Sequence, residues 1–244
     1  MRVKLIVAYD GTNYCGWQIQ DNAITIEEVL NQKLSELLNE DIRVIGASRT
    51  DSGVHALGNV AVFDTNTRIP AEKISYALNQ RLPDDIRIQK SEQVADDFHP
   101  RFCDTIKTYE YKIYNNKFPD PTVRLYSKFV YFNIDIDKMR EGAKYLVGEH
   151  DFKSFCTPRT NVESTVREVT EITFDKKGDM ITMTIKGTGF LYNMVRIIMG
   201  TLLRVGMGMY TPEHVKEILD AKDRAVAGPK AEACGLTLIN IEYL

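Results

Sequence analysis

The residues best suited to chemistry stand in the segment 48–56, which reads SRTDSGVHA. Asp51 is a carboxylate with Arg49 two residues before it, and a basic neighbour can stabilise the ionised form of an acid. A carboxylate held at the tip of a loop can act as a nucleophile or as a general base. The same residues also fit an ordinary Asx-type turn braced by an arginine–aspartate salt bridge. The segment alone therefore leaves a catalytic and a structural interpretation open.

Cysteine and histidine usage gives little support for metal chemistry. The four cysteines and four histidines form no CxxC pair and no Cys/His spacing typical of zinc. A glycine-rich loop that could cradle phosphates is missing from the sequence as well. The sequence therefore predicts an activity that uses no metal and no nucleotide cofactor.

Composition and charge restrict the class of protein. The chain has 244 residues, of which 43% are hydrophobic and 27% charged, as in a soluble globular protein with one large or two small domains. No apolar run approaches the roughly 18 residues that span a bilayer, and the N-terminus does not resemble a signal peptide. We expect a cytoplasmic protein without membrane association. The net charge of −3, taken alone, favours a small-molecule or protein partner over a nucleic acid.

One stretch nevertheless has the pattern of an RNA-binding surface. Between residues 105 and 128, five basic side chains stand against two acidic ones, and four tyrosines interleave with them. Basic groups among aromatic rings suit a phosphate backbone with splayed bases. A solvated strand face would show the same pattern, and the residues do not decide between the two.

The hydrophobic pattern predicts alternating strands and helices, with several neighbouring strands joined as hairpins. Thr25 and Glu28 form a capping box at the start of the first helix. Helices are predicted over residues 25–39, 70–82, 135–146, 191–205 and 212–221. Strands are predicted over residues 3–9, 43–47, 60–65, 86–94, 107–114, 125–132, 166–174, 180–186 and 236–243, with a loop over 48–58. This order favours an α+β fold over a doubly wound parallel sheet.

Six segments, taken in order, resemble the signatures of the tRNA pseudouridine synthase A family. They are residues 9–20 (YDGTNYCGWQIQ), 49–56 (RTDSGVHA), 98–111 (FHPRF with KTYEY), 151–155 (DFKSF), 193–200 (NMVRIIMG) and 235–238 (GLTL). The order and spacing fit from about residue 3 to residue 243, and several ordered matches are specific where one would be weak. Ser52 departs from the alanine usual in the family.

The resemblance implies a pseudouridine synthase fold. It would consist of two ferredoxin-like halves, which we place at residues 1–104 and 105–244, with a continuous mixed sheet and a central active cleft. The implied reaction isomerises uridine to pseudouridine at positions 38, 39 and 40 of the tRNA anticodon stem-loop, without a cofactor. The family resemblance also implies a homodimer whose tRNA touches both subunits.

The resemblance further implies roles for five residues. Asp51 takes the position of the essential catalytic aspartate, and Arg49 that of the arginine that helps to extrude the target nucleotide. Tyr109 matches the tyrosine that stacks on the uracil, and Leu236 the apolar wall of the uracil pocket. Arg196 matches a buried basic residue that pairs with the catalytic carboxylate. Whether Asp51 attacks the ribose or the base, or removes a sugar proton, stays open.

Two other residues of the matched segments are interpreted as structural. Trp17 is expected to be a packed anchor of its loop. His55 could suggest acid–base catalysis, but the resemblance assigns that work to the aspartate, so we expect His55 to support the loop.

Three rival functions remain at this point. A sister pseudouridine synthase that acts at other RNA positions would share the active-site motifs. A non-catalytic RNA-binding protein of the same fold would not need Asp51, whose presence speaks against this alternative. A small-molecule enzyme that uses Asp51 and His55 would leave the basic, tyrosine-rich stretch unexplained.

Overall fold

The computed structural model describes residues 1–158 and 163–244 and shows an α+β protein, which confirms the predicted fold class. The chain divides into two compact units. One is formed by Met1–Asp104 with Thr237–Leu244, and the other by Thr105–Leu236. The second half had been predicted to run to residue 244. Residues Thr237–Leu244 instead belong to the first unit, in which Thr237 and Leu238 pair with His55 and Ala56.

The first unit contains a mainly antiparallel sheet and two helices. Its elements are β1 (Arg2–Tyr9), α1 (Ile26–Leu38), β2 (Ile45–Gly46), β3 (His55–Asp64), α2 (Ala71–Asn79), β4 (Ile86–Val94) and β10 (Leu236–Tyr243). Strand β1 lies between β3 and β4 and is antiparallel to both, while β2 and β10 pair with β3. The order strand, helix, two strands, helix, strand is that of a ferredoxin-like unit.

Local sequence explains why these elements form. Every second residue of β1 from Val3 to Tyr9 is buried, because successive strand residues point to opposite faces of a sheet. Helix α1 begins after Thr25, whose side-chain oxygen accepts a hydrogen bond from the amide of Glu28 at 3.4 Å. It ends at Asn39, which takes the left-handed conformation typical of a helix C-terminus.

The second unit has the order two strands, one helix, three strands and two helices. Its elements are β5 (Thr105–Asn115), β6 (Lys128–Val130), α3 (Ile136–Lys144), β7 (Gly148–Asp151), β8 (Val166–Lys177), β9 (Met180–Gly187), α4 (Met194–Gly206) and α5 (His214–Ala221). Strands β5, β9, β8 and β7 are antiparallel neighbours in that order, and β6 runs parallel to β5. Every residue of α4 except Arg204 is buried, so this helix is the centre of the unit.

Strands β7, β6 and β3 are among the elements that differ from the sequence prediction. Strand β7 (Gly148–Asp151) is absent from the predicted strands, and it pairs with β8. Strand β6 covers only Lys128–Val130 of the strand predicted over 125–132. Strand β3 starts at His55, so the loop predicted over 48–58 ends earlier. In the described part of the chain, no helix is long and apolar enough to cross a membrane.

Candidate active site

Asp51 lies in the loop of residues 47–54, which joins β2 to β3 in the first unit. Asp51 is half-buried, whereas Thr50 is buried and places its hydroxyl 2.7 Å from the hydroxyl of Tyr9 in β1. The carbonyl of Asp51 accepts a hydrogen bond from the amide of Val54 at 3.1 Å, which closes a tight turn. The carboxylate is therefore carried by a short turn anchored in the sheet on both sides.

The first matched motif, residues 9–20, packs directly on this loop. The carbonyl of Tyr14 accepts hydrogen bonds from the amide of Gly53 at 3.2 Å and from the hydroxyl of Ser52 at 3.3 Å. The amide of Trp17 donates to the carbonyl of Thr50 at 3.1 Å. Two motifs far apart in sequence thus form one hydrogen-bonded unit around the carboxylate.

His55 and Trp17 lie in the packed base of the site. Trp17 is 1% exposed, and His55 is 4% exposed. The Nδ1 atom of His55 lies 3.1 Å from the amide nitrogen of Gly11 and 3.1 Å from a carboxylate oxygen of Asp10. These surroundings agree with the loop-supporting positions expected for both residues.

Sequence reasoning missed one supporting residue, Asn59 of β3. Its side-chain oxygen accepts from the amide of Ser48 at 3.3 Å, and its Nδ2 donates to the carbonyl of Ser48 at 3.0 Å and to the Tyr9 hydroxyl at 3.3 Å. Asn59 is completely buried, so its loss would leave buried polar groups unsatisfied at a cost of about 1–3 kcal/mol. The available signal was one asparagine inside the otherwise apolar run 56–63.

Arg49 does not brace Asp51 as the sequence had allowed. Arg49 is exposed, and within residues 1–158 and 163–244 no ion pair joins it to Asp51. Its charge instead acts on Arg101 of the third matched motif. Burial lowers the pKa of Arg101, and the nearby positive charge of Arg49 lowers it further, while Glu27 opposes the shift. The charge of Arg49, which belongs to the loop of Asp51, therefore acts on a second guanidinium group, that of Arg101.

The other predicted site residues belong to the second unit. Tyr109 in β5 is 9% exposed, and the edge of its ring meets Phe190 with centroids 5.3 Å apart and planes at 86°. Leu236 is buried at the start of β10. Arg196 is buried in the first turn of α4.

Hydrogen bonds fix the direction of the Arg196 side chain. Its Nε donates to the carbonyl of Ala231 at 2.8 Å, and its Nη1 donates to the side-chain oxygen of Asn193 at 3.3 Å. The amide of Ala231 donates back to the carbonyl of Arg196 at 3.0 Å. The amide group of Asn193 is held in turn by the hydroxyl of Thr157 at 2.9 Å. These hydrogen bonds hold the guanidinium group of Arg196 in one direction.

Metal-ligating clusters are also relevant to the chemistry. Among the residues that the structure describes, no group of three or more His, Cys, Asp or Glu side chains could hold a metal ion. Asp51 is the only acidic side chain of the loop 47–54. The chemistry that this loop can offer is that of a single carboxylate.

Comparison with known proteins identifies the class of enzyme. A family model described as tRNA pseudouridine synthase matches residues 5–103 and 143–244. The chain therefore belongs to the tRNA pseudouridine synthase family, which is a family of isomerases.

Curated relatives place the chain more narrowly. It is 48% identical over 241 residues to tRNA pseudouridine synthase A of Thermoanaerobacter sp. (strain X514), a match that covers 99% of each chain. It is 45% identical over 245 residues to tRNA pseudouridine synthase A of Bacillus subtilis (strain 168), with 100% of this chain and 99% of the relative covered. The predicted resemblance to the synthase A family is confirmed.

Proposed function

We propose that this protein converts uridine to pseudouridine at positions 38, 39 and 40 of the tRNA anticodon stem-loop, with Asp51 as the catalytic carboxylate. The observation that carries the proposal is the loop 47–54, in which one carboxylate is held on a tight turn by hydrogen bonds from two matched motifs. The full-length identity to synthases named for tRNA supports the substrate class.

The proposed reaction is an isomerisation within one nucleotide. The N1–C1′ bond breaks, C5 joins to C1′, the proton of C5 is released and N1 gains a proton. A carboxylate can serve either as the nucleophile or as the base that such a sequence needs.

Four further residues are proposed to keep the roles that the resemblance gives them. For Arg49, the support is its exposure and the lack of an ion pair to Asp51 among the described residues, since an uncommitted guanidinium can contact an extruded nucleotide. Tyr109 has a ring that packing against Phe190 restrains. Leu236 offers an apolar, buried side chain, and Arg196 a buried charge with fixed direction.

We further propose that the protein acts in the cytoplasm, as a homodimer, without a metal or nucleotide cofactor. The family resemblance implies the homodimer. It is supported by an exposed aromatic pair in the second unit, Tyr131 and Phe132, whose ring centroids are 3.9 Å apart. Aromatic residues are enriched at protein interfaces. Activity in excess EDTA tests the cofactor proposal.

A set of three tRNA transcripts, each with a single target uridine at position 38, 39 or 40, tests the substrate proposal. The purified protein is expected to modify all three. Stacking on an extruded uracil tolerates the surrounding sequence, whereas a site that reads base edges loses about 1–3 kcal/mol for each wrong base. Pseudouridine mapping gives the readout. Modification at only one position would point to a sister synthase, and modification at none to an RNA-binding protein without this activity.

Gly16→Ala, a substitution in the motif of residues 9–20, is expected to displace the loop that carries Asp51. Gly16 has φ +85°, and a Cβ there would lie 2.5 Å from the carbonyl oxygen of Thr50 and 3.1 Å from the carbonyl carbon of Asp51. The loop must move, so we expect a loss of kcat on the order of 10²-fold and a stability loss of about 1–3 kcal/mol. Tritium release from 5-labelled tRNA and thermal unfolding measure the two effects.

Gly178→Ala is the matched control. Gly178 also has positive φ, at +59°, but nothing lies within 4 Å of a Cβ there. It should lose stability by roughly 1 kcal/mol through backbone strain and keep its kcat. An equal kcat loss in both variants, or none in Gly16→Ala, would contradict the contact between Gly16 and the loop.

A further inference from the structure

The turn at residues 98–103 in the first unit holds an aromatic ring in solvent. Phe102 is 84% exposed. Its ring stacks on the imidazole of His99, with centroids 4.0 Å apart and planes at 17°. Because one face rests on His99 while most of the side chain is exposed, the opposite face of the ring is open to solvent.

Hydrogen bonds make this stacked pair rigid. The amide of Phe102 donates to the carbonyl of His99 at 3.3 Å, and the amide of Arg101 donates to Nδ1 of His99 at 3.2 Å. Burial and the positive charges of Arg101 and Arg2 lower the pKa of His99. The imidazole is therefore neutral at pH 7, which is the form whose Nδ1 can accept a hydrogen bond. A preformed aromatic surface loses little conformational entropy on binding.

Two arginine side chains, Arg101 and Arg49, lie in the same part of the first unit as the ring of Phe102. Arg101 is its immediate neighbour, and Arg49 lies close enough for its charge to lower the pKa of Arg101. Neither arginine takes part in an ion pair within the described ranges 1–158 and 163–244. The acidic residue that acts on Arg101 is Glu27, whose carboxylate accepts a hydrogen bond from the amide of Ile19 at 3.0 Å. Neighbouring guanidinium groups without ion pairs are suited to bind phosphate.

We propose that Phe102, stacked on His99, is a platform for an unpaired base of the substrate RNA, and that Arg101 and Arg49 bind the phosphates beside that base. Arg49 and Asp51 belong to the same short loop, so a phosphate bound by Arg49 would belong to the part of the RNA beside the carboxylate. This inference rests on the proposed function, and it identifies Phe102 as a contact to the RNA outside the catalytic loop.

Variants of Phe102 test the platform by RNA binding. The probe is an anticodon stem-loop hairpin with 2-aminopurine at one loop position per molecule, titrated with the full-length protein. Phe102→Ala and Phe102→Leu should each weaken binding about tenfold, because a stacked base needs an aromatic face. Phe102→Trp should restore binding. At one loop position, wild type should quench the 2-aminopurine and Phe102→Ala should not.

Tyr76→Ala is the matched control on the same unit. Tyr76 is 69% exposed in α2 and has the ammonium of Lys73 at 5.3 Å from its ring centroid, so it also combines an exposed ring with a cation. Its removal should leave RNA affinity unchanged. Arg101→Gln should lower the slope of log K against log salt by about 0.7, as expected for one lost phosphate contact to a single strand. Phe102→Ala should keep the wild-type slope.

Wild-type RNA affinity in Phe102→Ala would overturn the platform, and so would full affinity in Phe102→Leu, since a plain apolar contact would then suffice. A change of oligomeric state in Phe102→Ala with unchanged RNA affinity would overturn it as well, in favour of a protein contact. Absence of pseudouridine formation by the wild-type protein would contradict the proposed function instead. If the wild-type protein forms pseudouridine and Phe102→Ala binds the RNA as tightly as wild type, the platform proposal is contradicted and the proposed function is not.

Discussion

Asp51→Asn is expected to abolish pseudouridine formation while tRNA binding largely survives. The substitution keeps the size of the side chain but removes the negative charge and the nucleophilic oxygen pair. Asp51 is the only acid of the loop 47–54, so no neighbour on the loop can replace it. Since a positioned acid–base group typically contributes about 10²–10⁴-fold, kcat should fall by at least this factor. Tritium release from 5-labelled uridine in tRNA measures the loss, and filter binding measures the tRNA affinity.

Ser52→Ala is the control for Asp51→Asn. Ser52 is the exposed next residue of the same turn, and its hydroxyl donates to the carbonyl of Tyr14 at 3.3 Å. Alanine keeps a small side chain at this exposed position and leaves the carboxylate in place, so kcat should be close to wild type and stability within about 0.5 kcal/mol. Near-wild-type turnover in Asp51→Asn would show that the carboxylate is not catalytic.

Gly200→Ala is expected to have the largest effect on stability. Gly200 lies in the middle of α4, and a Cβ there would be 1.7 Å from the carbonyl oxygen of Pro229 and 2.9 Å from its carbonyl carbon. Backbone cannot yield as a flexible side chain can, so we expect a loss of about 3 kcal/mol or more. This exceeds the roughly 1 kcal/mol that alanine adds to helix propensity. For a chain of this length, the loss corresponds to a fall in Tm of about 6–12 °C.

The same substitution should also reduce activity, because the displaced segment orients Arg196. Ala231 follows Pro229 closely, and its carbonyl accepts from Nε of Arg196 at 2.8 Å. Gly189→Ala serves as control, since the nearest atom to a Cβ there is the Cδ of Arg167 at 3.7 Å, an ordinary contact. It should change Tm by less than about 2 °C. A wild-type Tm in Gly200→Ala would mean that α4 does not approach Pro229 this closely.

Much of the fold could be predicted because helix caps and hydrophobic patterns in the sequence agree with the observed helices and strands. The capping threonine at residue 25 places the start of α1, and alternating burial along β1 follows its alternating hydrophobic residues. Strands β4 and β10 have the predicted bounds. The early start of β3 could not be predicted, because His55 and Ala56 pair with Thr237 and Leu238 of β10, which are distant in sequence.

In the site, too, the features that depend on neighbouring residues could be predicted, and those that depend on contacts between distant segments could not. Asp51 stood out from the sequence because its motif is contiguous. The contacts that hold its turn, from Tyr14 and from Thr50 to Tyr9, join segments about 40 residues apart and leave no local pattern. Strand β7 was missed for a related reason, since the polar residues around His150 become a strand only by pairing with β8.

Pseudouridine mapping in the tRNA of a strain from which this gene has been deleted tests the central claim most directly. The deletion strain would carry either no plasmid, the wild-type gene, or the gene with Asp51→Asn. We predict that pseudouridine disappears from positions 38, 39 and 40 in the deletion strain, returns with the wild-type gene, and stays absent with Asp51→Asn. Unchanged pseudouridine at these positions in the deletion strain, or its return with Asp51→Asn, would contradict the assignment of Asp51 as the catalytic carboxylate of a tRNA pseudouridine synthase.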